Sequence, residues 1–236
     1  MLLTTPDQIR ILQRKLYIKA KQEPSYRFYA LYDKIYRADI LKLAWRLVKA
    51  NKGGPGIDGV DFAAIESGEG VDCYLSGISR QLKDKRYRTS PVKRVMIDKE
   101  DGSKRPLGIP TIRDRVVQMA TKLVIEPIFE ADFCENSYGF RPQKSAHQAI
   151  DAIAQAMWQG KTQVIDADLS KYFDSIPHAK LMKMVAERIV DGAVLALLQQ
   201  WLKAPIIAES DEGTLTTIGG GKGNRRGTPQ GGVISA

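Results

Sequence analysis

Residues 162–178, TQVIDADLSKYFDSIPH, concentrate the residue types that could do chemistry. Val164, Ile165, Ala167 and Leu169 read as a short strand between the turn-prone pairs Gly160-Lys161 and Ser170-Lys171. Side chains alternate across a strand, so Asp166 and Asp168 share one face and Ile165, Ala167 and Leu169 the other. The apolar face suits packing on helices. Two carboxylates on one face repel each other unless a cation or hydrogen-bond donors sit with them. Phe173 follows at a turn, where a large ring has no surface purpose, and Asp174 and Pro177 lead into a new helix. A carboxylate at a strand end, then a turn and an aromatic, is one way to build a metal-bound phosphate site. A solvated strand edge with capping aspartates accounts for the same residues and, for the stretch taken by itself, fits better.

The net charge of +9 lies wholly in the first part of the chain. Residues 1–105 carry 22 Lys/Arg against 13 Asp/Glu, whereas residues 106–236 carry 14 against 14. An acidic polymer, nucleic acid above all, is the natural partner of such a region, although a basic surface kept for solubility gives the same count. Cys73 and Cys134 are far apart and lack metal-ligand spacing, which suits buried or free thiols in a reducing, cytoplasmic compartment. With His147 and His178 as the only histidines, a histidine-based metal site or triad is not expected. No apolar run approaches a membrane span, and Met1–Arg10 lacks the shape of a signal peptide, so no membrane partner is expected. At 236 residues, 43% of them hydrophobic, the chain can bury a core in one or two domains.

The surrounding elements must position these residues. Helical spacing covers 7–22 and 26–50, the second with tyrosines among Lys34, Arg37, Lys42, Arg46 and Lys49. Such a face suits nucleic acid or an ordinary amphipathic helix equally. The glycine-rich loop 51–60 could set its amides against a phosphate or serve as a linker; it is not a Walker loop. A helix over 71–85 precedes a hairpin, residues 92–97 and 104–109 around Asp101-Gly102. That hairpin carries Lys93, Arg94, Lys99, Lys104 and Arg105, which could follow a phosphate chain, surround a triphosphate, or guard an exposed edge. Thr111 is placed to cap a helix over 112–131, and Ser145 one over 146–159. Helices over 178–190 and 193–203 and a second hairpin, 206–208 with 215–218, complete the pattern before the basic loop 219–226.

Five stretches now occur in order: Gly53-Gly-Pro-Gly-Ile-Asp-Gly-Val60, Lys104-Arg-Pro-Leu-Gly-Ile-Pro-Thr111, Ser137-Tyr-Gly-Phe-Arg-Pro142, Asp168-Leu-Ser-Lys-Tyr-Phe-Asp174 and Gly227-Thr-Pro-Gln-Gly-Gly-Val-Ile-Ser235. Together they resemble the reverse transcriptase of group II introns, the intron-encoded protein that also acts as a maturase. The resemblance covers about residues 30–236. It implies an α+β, right-hand polymerase-like fold of fingers and partial palm, with a helical N-terminal part and an incomplete palm sheet. The corresponding division is 1–60, a basic extension ending in the glycine-rich loop; 61–160, fingers; and 161–236, partial palm.

By position, the resemblance makes Asp168 the first catalytic aspartate, binding Mg²⁺, with the Leu169 carbonyl as a further ligand. Phe173 matches the aromatic gate at the sugar 2′ position. Lys99 and Arg105 match the cations on the incoming dNTP, Gln230 the glutamine packed against it, and Lys93 and Arg94 the template-facing residues. The implied partners are intron RNA, an RNA template with DNA primer, and dNTP. A homodimer stays open, because an incomplete sheet leaves an unpaired edge. Nucleotide addition needs two metals about 3.5–4 Å apart. The family holds them with a further Tyr-Ala-Asp-Asp pair downstream, which does not occur here; Ser235-Ala236 stands for the usual Ser-Pro, and Asp98 where proline is common. The expectation is a fragmentary intron protein, or a designed piece of one, that cannot polymerise by itself. Two alternatives remain: an RNA-binding module without polymerase activity, and a related reverse transcriptase recruited to a CRISPR-type system.

Overall fold

A nineteen-residue helix, α6 (Ile112–Glu130), is the axis on which the other elements pack. The Thr111 hydroxyl starts it by accepting the Asp114 N–H at 3.2 Å. Ile112, Val116, Val117, Ala120, Val124 and Ile128 are all buried, so this helix is apolar on more than one side. Pro127 lies within it and has no N–H for the Leu123 carbonyl four residues back. Gln13 supplies the missing donor, with Nε2 2.9 Å from that oxygen.

The computed structural model describes residues 5–98, 102, 104–169, 172–209, 213–228 and 233. Before α6 come α1 (Asp7–Gln22), α2 (Tyr32–Ile35), α3 (Ala38–Ala50), α4 (Phe62–Ser67), α5 (Val71–Lys83), β1 (Val92–Asp98) and β2 (Lys104–Ile109). After it come α7 (Ala146–Trp158), α8 (Tyr172–Ser175), α9 (His178–Arg188), α10 (Gly192–Leu202), β3 (Ile206–Glu209) and β4 (Leu215–Gly219). One apolar cluster joins Ile9 and Leu16 of α1, Ile40 and Leu43 of α3, Leu75 and Ile78 of α5, the face of α6, and Leu197 and Trp201 of α10. The core therefore runs across residue 60 and across residue 160. The glycine-rich loop is also fixed to it: Arg115 donates to the Gly54 carbonyl, and a Cβ on Gly56 would stand 2.7 Å from the Thr111 backbone.

The long helix expected over 26–50 is interrupted. Only α2 and α3 are helical, because the Phe28 N–H donates to the Arg188 carbonyl and the Val190 N–H to the Phe28 carbonyl, each at 2.8 Å. Two buried side chains secure this junction. Asp191 accepts the N–H groups of Leu31 and Tyr32 on one oxygen, each at 2.8 Å, and those of Ala193 and Val194 on the other, capping α10. Arg188 donates to the carbonyls of Ala20, Glu23, Pro24 and Tyr26 and pairs with Asp132 at 2.9 Å.

Both expected hairpins form, and they join in one sheet of order β2-β1-β3-β4 through a parallel β1–β3 pairing. The root of the first hairpin is held by Asp114, which is 1% exposed. Its carboxylate accepts the Tyr87 hydroxyl and the Ser90 N–H, each at 2.7 Å. The indole N–H of Trp201 donates in turn to the Tyr87 oxygen at 3.1 Å.

One expected element is absent. Residues 161–169 form no ladder among the described residues, and Val164, Ile165 and Leu169 are 82%, 95% and 69% exposed. A strand exists only when paired, and the two hairpins pair with each other instead. Helix α7 before this segment is properly started, with a capping box between Ser145 and Gln148, yet none of its side chains is buried. Local chemistry makes that helix; packing does not.

Candidate nucleotide and nucleic-acid site

The Phe173 turn and the segment 225–228 are bound along each other. The Thr228 N–H donates to the Phe173 carbonyl, the Gly227 N–H to Ile176 and the His178 N–H to Arg225, each at 2.9 Å. Pro177 and Arg226 face each other in an antiparallel bridge. The His178 ring adds a side-chain bond, Nε2 to the Gly227 carbonyl at 2.7 Å. Gly227 has φ +85°, and a Cβ there would lie 3.0 Å from the Asp174 carbonyl oxygen, so the close approach needs glycine.

This paired backbone forms one wall of a polar cavity of about 170 Å³. Asp174, Arg226 and Thr228 come from that wall, Arg94 and Pro106 from the first hairpin, and Asn224 from the loop between. Arg94 Nε and the Thr228 hydroxyl are buried there without a hydrogen-bond partner among the described residues. The cavity thus brings the first hairpin, the Phe173 turn and the start of the Gly227-Thr-Pro-Gln stretch to one place.

Strand alternation divides the hairpin's cations. The pairs Ile97↔Arg105, Met96↔Pro106 and Arg94↔Gly108 place Arg94, Met96 and Pro106 on one face and Lys93, Val95, Ile97, Arg105 and Leu107 on the other. Lys93 and Arg94, nominated together from the sequence, therefore point to opposite sides. Lys93 pairs with Glu209 at 2.7 Å, while Arg94 turns to the cavity. Arg105 lies on the face of Lys93. Lys99 and Gln230 lie outside the described residues.

Asp168 is exposed, and one of its oxygens accepts the Leu169 N–H at 2.8 Å. It does not line the cavity. Among the described residues no three His, Cys, Asp or Glu side chains gather as a metal site. A single exposed carboxylate engaged with its own backbone does not fit a two-metal centre. The Phe173 side chain is half-buried beside Tyr172, ring centroids 5.9 Å apart.

Sequence reasoning missed Asn224, Arg226 and His178 as members of this junction. Arg226 stood next to a motif glycine and could have been marked from that. His178 gave no signal, because its role rests on the carbonyl of a residue 49 positions away. A second, larger hollow of about 820 Å³ is mostly apolar, lined by Ile125, Phe129, Leu181, Val185, Leu198 and Trp201 among others. Glu126 stands at it, its carboxyl pushed above the usual range by burial, with Lys122 opposing the shift. Among the described residues no helix is long and apolar enough to cross a membrane.

The family described as reverse transcriptase (RNA-dependent DNA polymerase) matches residues 97–236. Protein YkfC of Escherichia coli (strain K12) is 39% identical over 230 residues, 95% of this chain and 58% of that protein. The group II intron-encoded protein LtrA of Lactococcus lactis subsp. cremoris is 34% identical over 209 residues, 88% of this chain and 33% of that protein. This chain thus spans between a third and three fifths of the length of these two relatives. Among solved structures, a chain of the partial Cas6-RT-Cas1–Cas2 complex superposes with TM-score 0.50 at 21% identity, covering 87% of this chain and 32% of that one. At that identity the likeness concerns the fold.

Proposed function

This chain belongs to the reverse transcriptase (RNA-dependent DNA polymerase) family, and on that premise we propose that it is the fingers and partial palm of a group II intron-type enzyme: an RNA-directed DNA polymerase that also binds intron RNA as a maturase. The single observation that carries the reading is the backbone pairing of 225–228 along 173–178 beside the first hairpin. It brings three of the family's motifs together across long sequence separations. The proposed roles follow the motifs. Lys99 and Arg105 neutralise the triphosphate, Phe173 excludes a 2′-hydroxyl, Gln230 packs on the incoming nucleotide, and Lys93, on the face of Arg105, meets the template. By its place in the motif, Asp168 with the Leu169 carbonyl would be one ligand of the Mg²⁺ pair that nucleotide addition uses; as placed here that carboxylate does not by itself hold such a pair. The proposed division is the N-terminal extension 1–60, fingers 61–160 and partial palm 161–236, acting in the cytoplasm.

The described carboxylates do not hold a metal pair, so the 236-residue chain is proposed to bind template and primer without extending them. Two measurements on this chain test the reading. In primer extension with an RNA template, DNA primer, dNTPs and Mg²⁺, no templated product is expected. Binding of the same RNA–DNA duplex should weaken linearly in log affinity against log salt, as phosphate contacts dictate. Templated synthesis would overturn the proposed inactivity; absent or salt-independent binding would overturn the nucleic-acid role. The excess charge of residues 1–105 suits a purely RNA-binding module as well as it suits the enzyme. In a longer form of the protein, Asp168→Asn separates the two, abolishing synthesis with RNA binding unchanged only if the protein is an enzyme. The likeness to a CRISPR-associated complex supports the fold shared with that alternative and does not favour it.

A further inference from the structure

We propose that His178 is a positioning residue that pins the Gly227–Thr228 peptide plane against the Phe173 turn at the wall of the polar cavity; its link to nucleotide binding rests on the function proposed above. The peptide unit between Gly227 and Thr228 has two polar ends, the Gly227 carbonyl and the Thr228 N–H. Both are held from the opposite segment. The carbonyl accepts from His178 Nε2 at 2.7 Å, and the N–H donates to the Phe173 carbonyl at 2.9 Å. A carbonyl oxygen only accepts, so Nε2 carries a hydrogen in this bond. Nδ1 is buried with no partner among the described residues. Nothing on that side turns the ring away from Gly227.

The clamp matters because of the residue it holds. Gly227, at φ +85°, has no Cβ to bar rotation of the following peptide plane, and a flip of that plane would take the Thr228 N–H from Phe173. Of the bonds joining the two segments among the described residues, only that of His178 comes from a side chain. The ring is 7% exposed and opens α9, whose Met182 and Val185 pack on the apolar core and whose Arg188 is buried. His178 thus couples a packed helix to a glycine-hinged strand whose next residues the family motif assigns to the nucleotide.

The clamp is read without nucleotide by amide hydrogen exchange at Thr228 in the 236-residue chain. His178→Phe keeps a ring of similar size and removes the donor; H178Q restores a donor near the position of Nε2. Thr228 should exchange about tenfold faster in H178F than in wild type and return toward wild type in H178Q. Binding of dTTP should weaken in H178F and recover in H178Q. Equal Thr228 protection in wild type and H178F overturns the clamp, as does loss of protection that H178Q does not recover. Faster exchange in H178F with recovery in H178Q, but no dTTP binding by any of the three proteins, keeps the clamp and removes the nucleotide assignment instead.

Discussion

Removing the Asp114 carboxylate should loosen the root of the first hairpin by an amount set by the donors it strands. Asp114→Ala leaves the Tyr87 hydroxyl and the Ser90 N–H without their acceptor, both bonded now at 2.7 Å, while the Thr89 hydroxyl, 3.3 Å from the same carboxylate, keeps the Ser90 carbonyl as a second acceptor at 3.4 Å. Tyr87 cannot turn its hydrogen to Trp201, whose indole N–H only donates and already bonds to the phenol oxygen. Each stranded buried donor costs about 1–3 kcal/mol. Two of them give roughly 4 kcal/mol. With a urea dependence of about 2–3 kcal/mol per molar for a chain of this size, the unfolding midpoint should fall by about 1.5 M. Asp114→Asn keeps one acceptor oxygen, which can serve Ser90, and presents an amide donor to the phenol. One donor is then stranded instead of two, so the loss should be about half. A second change, Tyr87→Phe in the Asp114→Ala background, removes the stranded hydroxyl and should recover part of the loss. Urea unfolding followed by circular dichroism measures all four proteins. A loss below about 1 kcal/mol for the alanine variant, or equal losses for alanine and asparagine, would refute the account of Asp114 as an acceptor for two interior donors.

Gly227→Ala places a Cβ in a left-handed conformation and 3.0 Å from the Asp174 carbonyl oxygen; thermal unfolding should register about 1–2 kcal/mol of destabilisation, and an unchanged melting temperature would mean that the segment does not hold this conformation. Burial raises the Glu126 carboxyl above its ordinary value of 4.5, so its contribution is fully present below that pH and is lost as pH rises through the raised value; Glu126→Gln should therefore be more stable than wild type at neutral pH and should flatten the fall in stability above pH 4.5, whereas an unchanged pH profile would remove Glu126 as its source. Ile150, Ile153, Met157, Trp158, Val164, Ile165 and Leu169 are 58–95% exposed, apolar surface that should make the chain associate as concentration rises; Ile165→Lys with Leu169→Lys should shift light scattering toward the monomer, and no shift would place the adhesive surface elsewhere.

What the sequence discloses here depends on how far a residue reaches. Thr111, Ser145 and Asp191 start helices with their own side chains, within three residues, and such starts are legible from residue type alone. Phe28 shows the opposite case. Its neighbours have helical spacing, yet its backbone bonds to Arg188 and Val190, about 160 positions away, and the local pattern yields. Likewise both hairpins could be read from alternation and turn residues, while the parallel β1–β3 pairing that makes them one sheet could not. Val164–Leu169 alternates as a strand should, but alternation reports which side chains would share a face, not whether a partner strand is at hand. At the site, the motif order pointed to Phe173 and to the Gly227 stretch. The wall they form together, and His178 within it, rest on carbonyls that carry no residue identity and so leave no trace in the sequence.

The two halves of the site implied by the family differ in what holds them. Phe173, Asp174 and Thr228 belong to paired backbone backed by α9, and Arg94 to a strand paired on both sides. Their geometry is therefore set by contacts already made within this chain. Asp168 belongs to a segment without a ladder partner, and its carboxylate is engaged only by the next amide, among the described residues. A metal ligand needs a fixed direction, since coordination tolerates distance errors of only about 0.2 Å. Pairing of residues 162–169 into a sheet would supply that direction and would also bury Ile165 and Leu169, so the same event that covers these two side chains would orient the carboxylate. It follows that Asp168→Asn should leave the melting temperature of this chain unchanged, because an exposed carboxylate bonded only to its neighbour contributes little to the folded state. A clear destabilisation by Asp168→Asn would show that the carboxylate is already held in place by the fold, and that the asymmetry between the two halves is not real.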